Sequence, residues 1–279
     1  MQFTIVTPSY RPGPWLRLCI ASVADQGVPA EHIIQDAGSD DGTLDWVRAD
    51  PRVQLHVEPD GGMYDAINRG LRRGTGEICA WLNADEQYLP GALRAVAAWF
   101  EAHPDVDVVF GHVVMVDAQG RYLFHRKVEP PRLAHTWTCH LGTYSCGMFF
   151  RRRLLDPGGF WLDPDWRCGG DGEWMVRLLR AGVRMGTLGR FTSAFTWTGS
   201  NLSRQEQARA EWRRLRQSAP LWMRLLAPWW MLTHRLSRWW HGCYRQEPFE
   251  FAIYTLESPA QRQIRRVTRP VGYWSEPTA

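Results

Sequence analysis

Ile33-Ile34-Gln35-Asp36-Ala37-Gly38-Ser39-Asp40-Asp41-Gly42-Thr43 decides how the first half of this chain is built. An apolar extended run ends in an acidic loop with two glycines and passes at once into a helical pattern. His32–Gln35 reads as a strand and Asp41–Ala49 as a helix, with Ser39, Asp40 and Asp41 suited to its N-terminus. The same unit recurs on both sides. Phe3–Thr7 predicts a strand, and Trp15–Ala24 a helix with Trp15, Leu18, Cys19 and Ser22 on one side. Val53–Val57 predicts a third strand, followed by a helix over Met63–Arg73. Ile78–Leu82 predicts a fourth, followed by a helix over Pro90–Ala102 with Pro90 in its first turn. Strands alternating with helices through short links predict an α/β fold, a mainly parallel sheet with helices on both faces.

Beyond residue 102 the pattern changes. Val106–Phe110 and Val113–Val116 predict strands, and Asp117-Ala118-Gln119-Gly120 a hairpin turn returning through Tyr122-Leu123-Phe124. Gly147–Phe150 predicts a further strand, and Asp171–Arg180 a helix closed by Gly182. Val183–Leu188 and Phe191–Trp197 read as extended, and Ser203 opens an Arg-rich helical tail. The expected division is a domain over 1–203 and a helical, amphipathic appendage over 204–279.

In an open parallel sheet, ligands bind beyond the carboxyl ends of the strands. Three of the four loops there are acidic: Asp36–Thr43, Glu58-Pro59-Asp60-Gly61-Gly62 and Asn83-Ala84-Asp85-Glu86. Clustered carboxylates repel unless a cation or hydrogen-bond donors share them, and hard oxygen ligands suit Mg²⁺ or Mn²⁺. Each loop taken alone also reads as turns and N-caps. No Walker-type Gly-Lys-Ser/Thr and no dinucleotide-binding glycine fingerprint follows the first strand.

These motifs, in this order, resemble the inverting family-two glycosyltransferases with the GT-A (Rossmann-like) fold. The likeness rests on Thr4-Ile5-Val6-Thr7-Pro8-Ser9-Tyr10, Ile33 to Thr43, Glu58 to Gly70 and Gly76 to Leu93, and thins out towards residue 203. It implies a nucleoside-diphosphate sugar as donor, a UDP-sugar favoured, and a saccharide or lipid-linked saccharide as acceptor. It implies substrate-binding roles for Thr7, Pro8, Tyr10, Asp36, Asp65, Asn68, Asn83 and Ala84. Asn83-Ala84-Asp85 falls on the family's Asp-x-Asp metal motif, with Asn in place of the first Asp. Asp85 is then the expected ligand of Mn²⁺ or Mg²⁺, and Glu86 a longer acid where Asp is common. Cys168-Gly169-Gly170-Asp171-Gly172-Glu173 fits the family's catalytic base at the start of a later helix. Asp171 is the expected base and Glu173 a supporting acid, with an N-cap as the alternative for Asp171. His140 is open between an acceptor contact and a structural role. Thr198–Ser203 is open between closing over the diphosphate and capping the next helix.

The 279 residues carry a net charge of +4, unevenly spread. Arg204 to Arg245 holds nine Arg against Glu206 and Glu211. On a wheel of ~100° per residue, Trp222, Leu225, Leu226, Trp229, Leu236 and Trp240 share one stripe, with Arg224, Arg235 and Arg238 opposite. An apolar Trp/Leu face backed by Arg predicts a helix lying on an anionic membrane surface, kinked or restarted at Pro228. Packing of the stripe on the protein is the alternative. No run reaches the ~18–20 apolar residues of a membrane span. Met1-Gln2-Phe3 lacks the basic start of a signal peptide. The six cysteines form no CxxC pair and read as buried thiols of a reduced compartment. The expectation is a cytoplasmic enzyme, peripheral on the inner face of the membrane. A non-catalytic nucleotide-sugar-binding module, degraded at Asn83 and Glu86, is the second reading. A nucleic-acid-binding Arg/Trp tail is the third, and no nucleic-acid fold signature accompanies it.

Overall fold

The computed structural model describes residues 1–156, 158–199 and 206–272. The first elements are β1 (Phe3–Ser9), α1 (Trp15–Ala24), β2 (Ala30–Asp36), α2 (Thr43–Val47), β3 (Gln54–Val57), α3 (Met63–Arg73) and β4 (Ile78–Trp81). They are followed by β5 (Glu86–Tyr88), α4 (Ala92–Ala102), β6 (Val108–Asp117), β7 (Tyr122–Arg126), α5 (Leu133–Thr138), β8 (Met148–Arg151), α6 (Gly170–Arg180) and β9 (Met185–Trp197). The C-terminal segment supplies α7 (Glu206–Gln217), α8 (Leu221–Leu225), α9 (Ala227–Trp240), β10 (Phe249–Thr255) and β11 (Ser258–Val267).

One nine-stranded sheet runs β3-β2-β1-β4-β8-β6-β9-β5, with β7 beside β6. The pairs β3-β2, β2-β1, β1-β4 and β6-β9 are parallel. The strand β8 is antiparallel to both β4 and β6, so those two point the same way. The chain winds outward from β1 to β3, then returns to place β4 on the other side of β1. That reversal is the topological switch point, where loops from neighbouring strands diverge and leave a crevice. The loops after β1 and β4 lie side by side there, locked by the Leu82 amide donating to the Val6 carbonyl at 2.9 Å.

Helices cover both faces. Val6, Ile67, Leu71, Trp81, Phe150 and Trp174 pack on one side, and Ile5, Cys19, Tyr88, Leu93, Phe100 and Phe149 on the other.

The expected elements need five corrections. Gly91, in the left-handed region at φ 70°, takes the N-cap of α4, so Pro90 precedes the helix instead of opening it. The two runs over 106–116 are one strand, β6. The runs over 183–197 likewise join as β9 (Met185–Trp197), with irregular register around His112 absorbing the break. The strand β5 was not anticipated. The tail is helical only to Trp240: β10 and β11 form a hairpin that buries Phe251, Ile253 and Val267 against Leu89, Val114, Val116 and Ala194 of the main sheet. Gln87 exchanges two hydrogen bonds with the Tyr254 backbone, and Arg262 pairs with Asp25 at 2.5 Å. The expected restart at Pro228 is present, as α8 and α9 with proline in the first turn of α9. The boundary expected at 201–204 lies outside the described residues.

Candidate active site

A cavity of about 1300 Å³ opens at the switch point. Its walls bring together Pro8 near the end of β1 and Tyr10 just after it, Asp60 to Tyr64 before and in α3, Asn83 and Asp85 after β4, and Asp171 at the start of α6. The opposite wall comes from the 140–145 loop and from Arg209, Trp212, Met231, His234, Arg235 and Arg238 of α7 and α9.

Of the expected site residues, Pro8, Tyr10, Asn83, Asp85 and Asp171 line this cavity. Six others do not. Asp36 is fully buried and accepts from the Ser9 and Ser39 hydroxyls at 2.6 and 2.8 Å and from the Gly38 and Ser39 amides at 2.9 and 2.6 Å. It buckles the β1 and β2 loops together. Thr7 is buried against His32 at 2.9 Å. Asn68 spends its amide on both backbone groups of Leu162, at 2.7 and 3.1 Å. Asp65 accepts from the Gly61 amide at 2.8 Å and pairs with Arg69 at 2.9 Å, which organises the first turn of α3. Ala84 packs against the Leu16/Ile34 cluster. Glu173 pairs with Arg177 one helical turn on, at 2.7 Å.

Asp171 is not the helix N-cap. Gly169 holds that position, and Asp171 sits in the first turn with its Oδ1 accepting from the Gly172 amide at 2.8 Å. The Tyr64 hydroxyl reaches the same oxygen at 3.5 Å. Burial pushes the Asp171 carboxyl up from 3.8 to about 6, against the pull of these hydrogen bonds. Glycine is required beside it, because a Cβ on Gly170 would stand 2.6 Å from the Tyr64 ring.

Asp85, half-buried, and Glu86, buried, are adjacent acids. Burial raises both, and the Asp85 charge raises Glu86 further. Glu86 does not reach the cavity; its Oε2 accepts the Asn83 amide at 2.8 Å and braces the loop from behind. Asn83 Oδ1 is buried with no hydrogen-bond partner. The orphaned Asn83 amide oxygen and the neighbouring Asp85 carboxylate are both hard oxygen donors. They therefore fit Mg²⁺ or Mn²⁺, which take one or two protein ligands and fill the rest with phosphate and water.

One positioning residue had no sequence signal. Glu211 of α7 accepts three backbone amides, from Arg167, Cys168 and Gly169, at 2.9, 2.9 and 2.8 Å. Burial works to raise its carboxyl, but the three amides outweigh burial and hold it below its ordinary value. The C-terminal segment thus fixes the loop that presents Asp171. Thr198 lines the cavity, and residues 200–203, on which the choice between closing over the diphosphate and capping the next helix depends, lie outside the described residues. The six cysteines are free thiols, five buried and Cys168 half-buried. Among the described residues no helix is long and apolar enough to cross a membrane.

Comparison with known proteins agrees with this fold. The chain is 34% identical over 128 residues to a PGL/p-HBAD biosynthesis glycosyltransferase of Mycobacterium tuberculosis, covering 43% of this chain and 50% of the relative. It therefore spans about half the length of that curated relative. The structure of Staphylococcus aureus TarS 1-349 in complex with UDP-GlcNAc superposes with a TM-score of 0.59 at 20% identity, over 74% of this chain and 61% of that one. The mannosyltransferase PcManGT of Pyrobaculum calidifontis, in complex with GDP-Man and Mn²⁺, gives 0.53 at 18% identity over 85% and 75%. At these identities the two structures establish a shared fold. Residues 4–157 match the family described as Glycosyl transferase family 2, and the chain belongs to that family.

Proposed function

We propose that this protein is a metal-dependent, inverting glycosyltransferase that moves a sugar from a nucleoside-diphosphate donor, a UDP-sugar favoured, to an acceptor hydroxyl. The observation that carries the reading is Asp171: a desolvated carboxylate with a pKa near 6, facing the cavity that also holds Asn83 and Asp85. Such a group is largely ionised at neutral pH and still basic enough to accept a proton as a hydroxyl attacks. Tyr10, exposed at the mouth, offers a ring face for the nucleobase, and Pro8 a wall beside it. Asp85 and Asn83 Oδ1 are the residues that would hold Mn²⁺ or Mg²⁺, which neutralises a leaving diphosphate. Direct attack by the activated hydroxyl, opposite the leaving group, inverts the anomeric carbon without a covalent enzyme intermediate. That the TarS and PcManGT structures carry UDP-GlcNAc and GDP-Man supports a nucleotide-sugar donor.

The acceptor we propose is lipid-linked, used by an enzyme held on the inner face of the membrane. The supporting observation is the exposed apolar surface of α8 and α9: Trp222, Leu225, Leu226, Trp229, Leu236 and Trp240, the last 79% exposed. In this reading residues 1–203 form the donor-binding catalytic unit and 204–279 its acceptor-side wall. Arg235 and Arg238 turn into the cavity, which counts against a tail that binds nucleic acid by a surface arginine stripe.

The test is thermal stabilisation and sugar release across a panel of nucleotide sugars, with Mn²⁺ and with excess EDTA. One or more donors should stabilise the protein only with metal and turn over only with metal. Full turnover in EDTA, or no response to any donor, contradicts the proposal.

A further inference from the structure

The helix α9 presents two opposed faces. Outward lie Trp229, Leu232, Leu236 and Trp240, all exposed. Inward, at helical spacing, lie Met231, His234, Arg235 and Arg238, all lining the cavity. Arg238 is only 6% exposed, and its Nε has no hydrogen-bond partner. Among the described residues it makes no ion pair; its contact is the face of Tyr244, 5.1 Å away. Arg235 likewise has a buried Nε without a partner. On the neighbouring stretch, Glu129 is taken by His241 and by the Ser237 hydroxyl. A guanidinium keeps its charge at any accessible pH, so burying it unpaired is costly unless an anion arrives.

The histidines beside it sharpen the assignment. His135 and His234 stack with ring centroids 3.8 Å apart, each with a buried, unpartnered Nε2. His140 completes a trio whose ring nitrogens lie within 4.8 Å of one another. Three imidazoles invite a transition metal, but Arg132, Arg235 and Arg238 surround them with positive charge. That field repels a cation and attracts an anion. Burial, then the neighbouring charges, hold His135 and His234 far below their ordinary pKa, so these two rings are neutral.

We propose that Arg235, Arg238 and the adjoining histidines form an anion subsite for the phosphate or diphosphate of a lipid-linked acceptor. The forked guanidinium donors match phosphate oxygens, and the outward face of the same helix suits the attached hydrocarbon. Asp60, Asp85 and Asp171 line the cavity from other elements, together with Arg126 and Arg167, whereas the α9 wall carries Arg235 and Arg238 and no acid. The word acceptor rests on the transferase reading; the anion site itself does not.

Calorimetry on the full chain, saturated with UDP and Mn²⁺, tests the subsite with inorganic diphosphate and with a short prenyl diphosphate. A second site should remain under these conditions and prefer the prenyl compound. Arg235→Gln and Arg238→Gln should each weaken it about tenfold, the loss expected for one charge-assisted pair, with UDP affinity unchanged. If Arg238→Gln does not fold, Arg238→Lys and the less buried Arg235→Gln carry the comparison. No second site, or one indifferent to these substitutions, overturns the proposal. Equal affinity for the two ligands overturns its assignment to a lipid-linked acceptor. A diphosphate site that behaves as stated in a protein that turns over no nucleotide sugar leaves the subsite standing and sinks only the transferase reading.

Discussion

The two ends of the cavity are built by different halves of the chain and by different means. Apart from the Asp171 loop, the acidic end is made of short loops after parallel strands, each held by its own residues: Asp36 clamps Ser9 and Ser39, and Glu86 braces Asn83. The C-terminal end is made of helix faces brought from far along the chain. Glu211 grips amides 42–44 residues away, and Arg238 sits on a helix whose other side faces solvent. The first end is acidic and, in the proposed function, takes a metal and a nucleotide. The second is basic and apolar and suits something the first could not hold. Local geometry sets chemistry at one end, and tertiary packing sets it at the other.

The largest expected effect breaks the acidic end at the proton acceptor. Asp171→Asn should lower the transfer rate by ~10²–10⁴, the usual cost of losing a general base, with nucleotide affinity intact. Its stability should move the other way. A carboxyl raised from 3.8 to about 6 in the fold favours the protonated form, and that stability is lost as pH rises through 6. Removing the charge should therefore leave the melting temperature at pH 7 unchanged or higher. A variant that melts early would make Asp171 a structural residue.

Asp85→Asn comes next. Turnover should fall on the order of 10²-fold, as when one stabiliser of developing charge is removed, and the metal-dependent shift in melting temperature should shrink. A normal metal response would move the metal site elsewhere.

Glu211→Gln probes the join between the two ends. It removes the charge from an acceptor shared by three amides and should cost about 1–3 kcal/mol in chemical denaturation. Turnover should fall about tenfold through misplacement of the Asp171 loop, with donor affinity kept. Unchanged kinetics would show that the two ends are independent.

The smallest effect on the chemistry belongs to the outer face. Changing Trp222, Trp229 and Trp240 to Ala should abolish flotation with anionic liposomes while leaving transfer to a water-soluble acceptor near wild type. Wild-type protein that ignores such liposomes at low salt would assign that face to another partner.

The same contrast governs what the sequence made legible. The family resemblance singled out Asp171 and the Asn83-Ala84-Asp85 loop, and Asn83, Asp85 and Asp171 do line one cavity. The direction of individual side chains could not be read. Thr7 and Asn68 belong to the right motifs yet point into the protein, since pleat and helix phase decide which neighbour is buried. The helical wheel separated the Trp/Leu stripe from Arg235 and Arg238, but a wheel does not say which side meets the protein. Glu211 had no local signature, because its partners lie on another element. The β10–β11 hairpin did leave one, the alternation of Phe249, Phe251 and Ile253 with Glu250 and Ala252, overshadowed by the helical pattern before it.

The pH dependence of the transfer rate in the unmodified protein bears most directly on the central claim, that the half-buried Asp171 draws the proton from the acceptor. With metal and donor saturating, the rate should hold steady above pH 7 and fall below about pH 6, approaching a tenfold loss per pH unit as the base is protonated. A rate that stays level down to pH 5, in protein still folded there, would contradict the account.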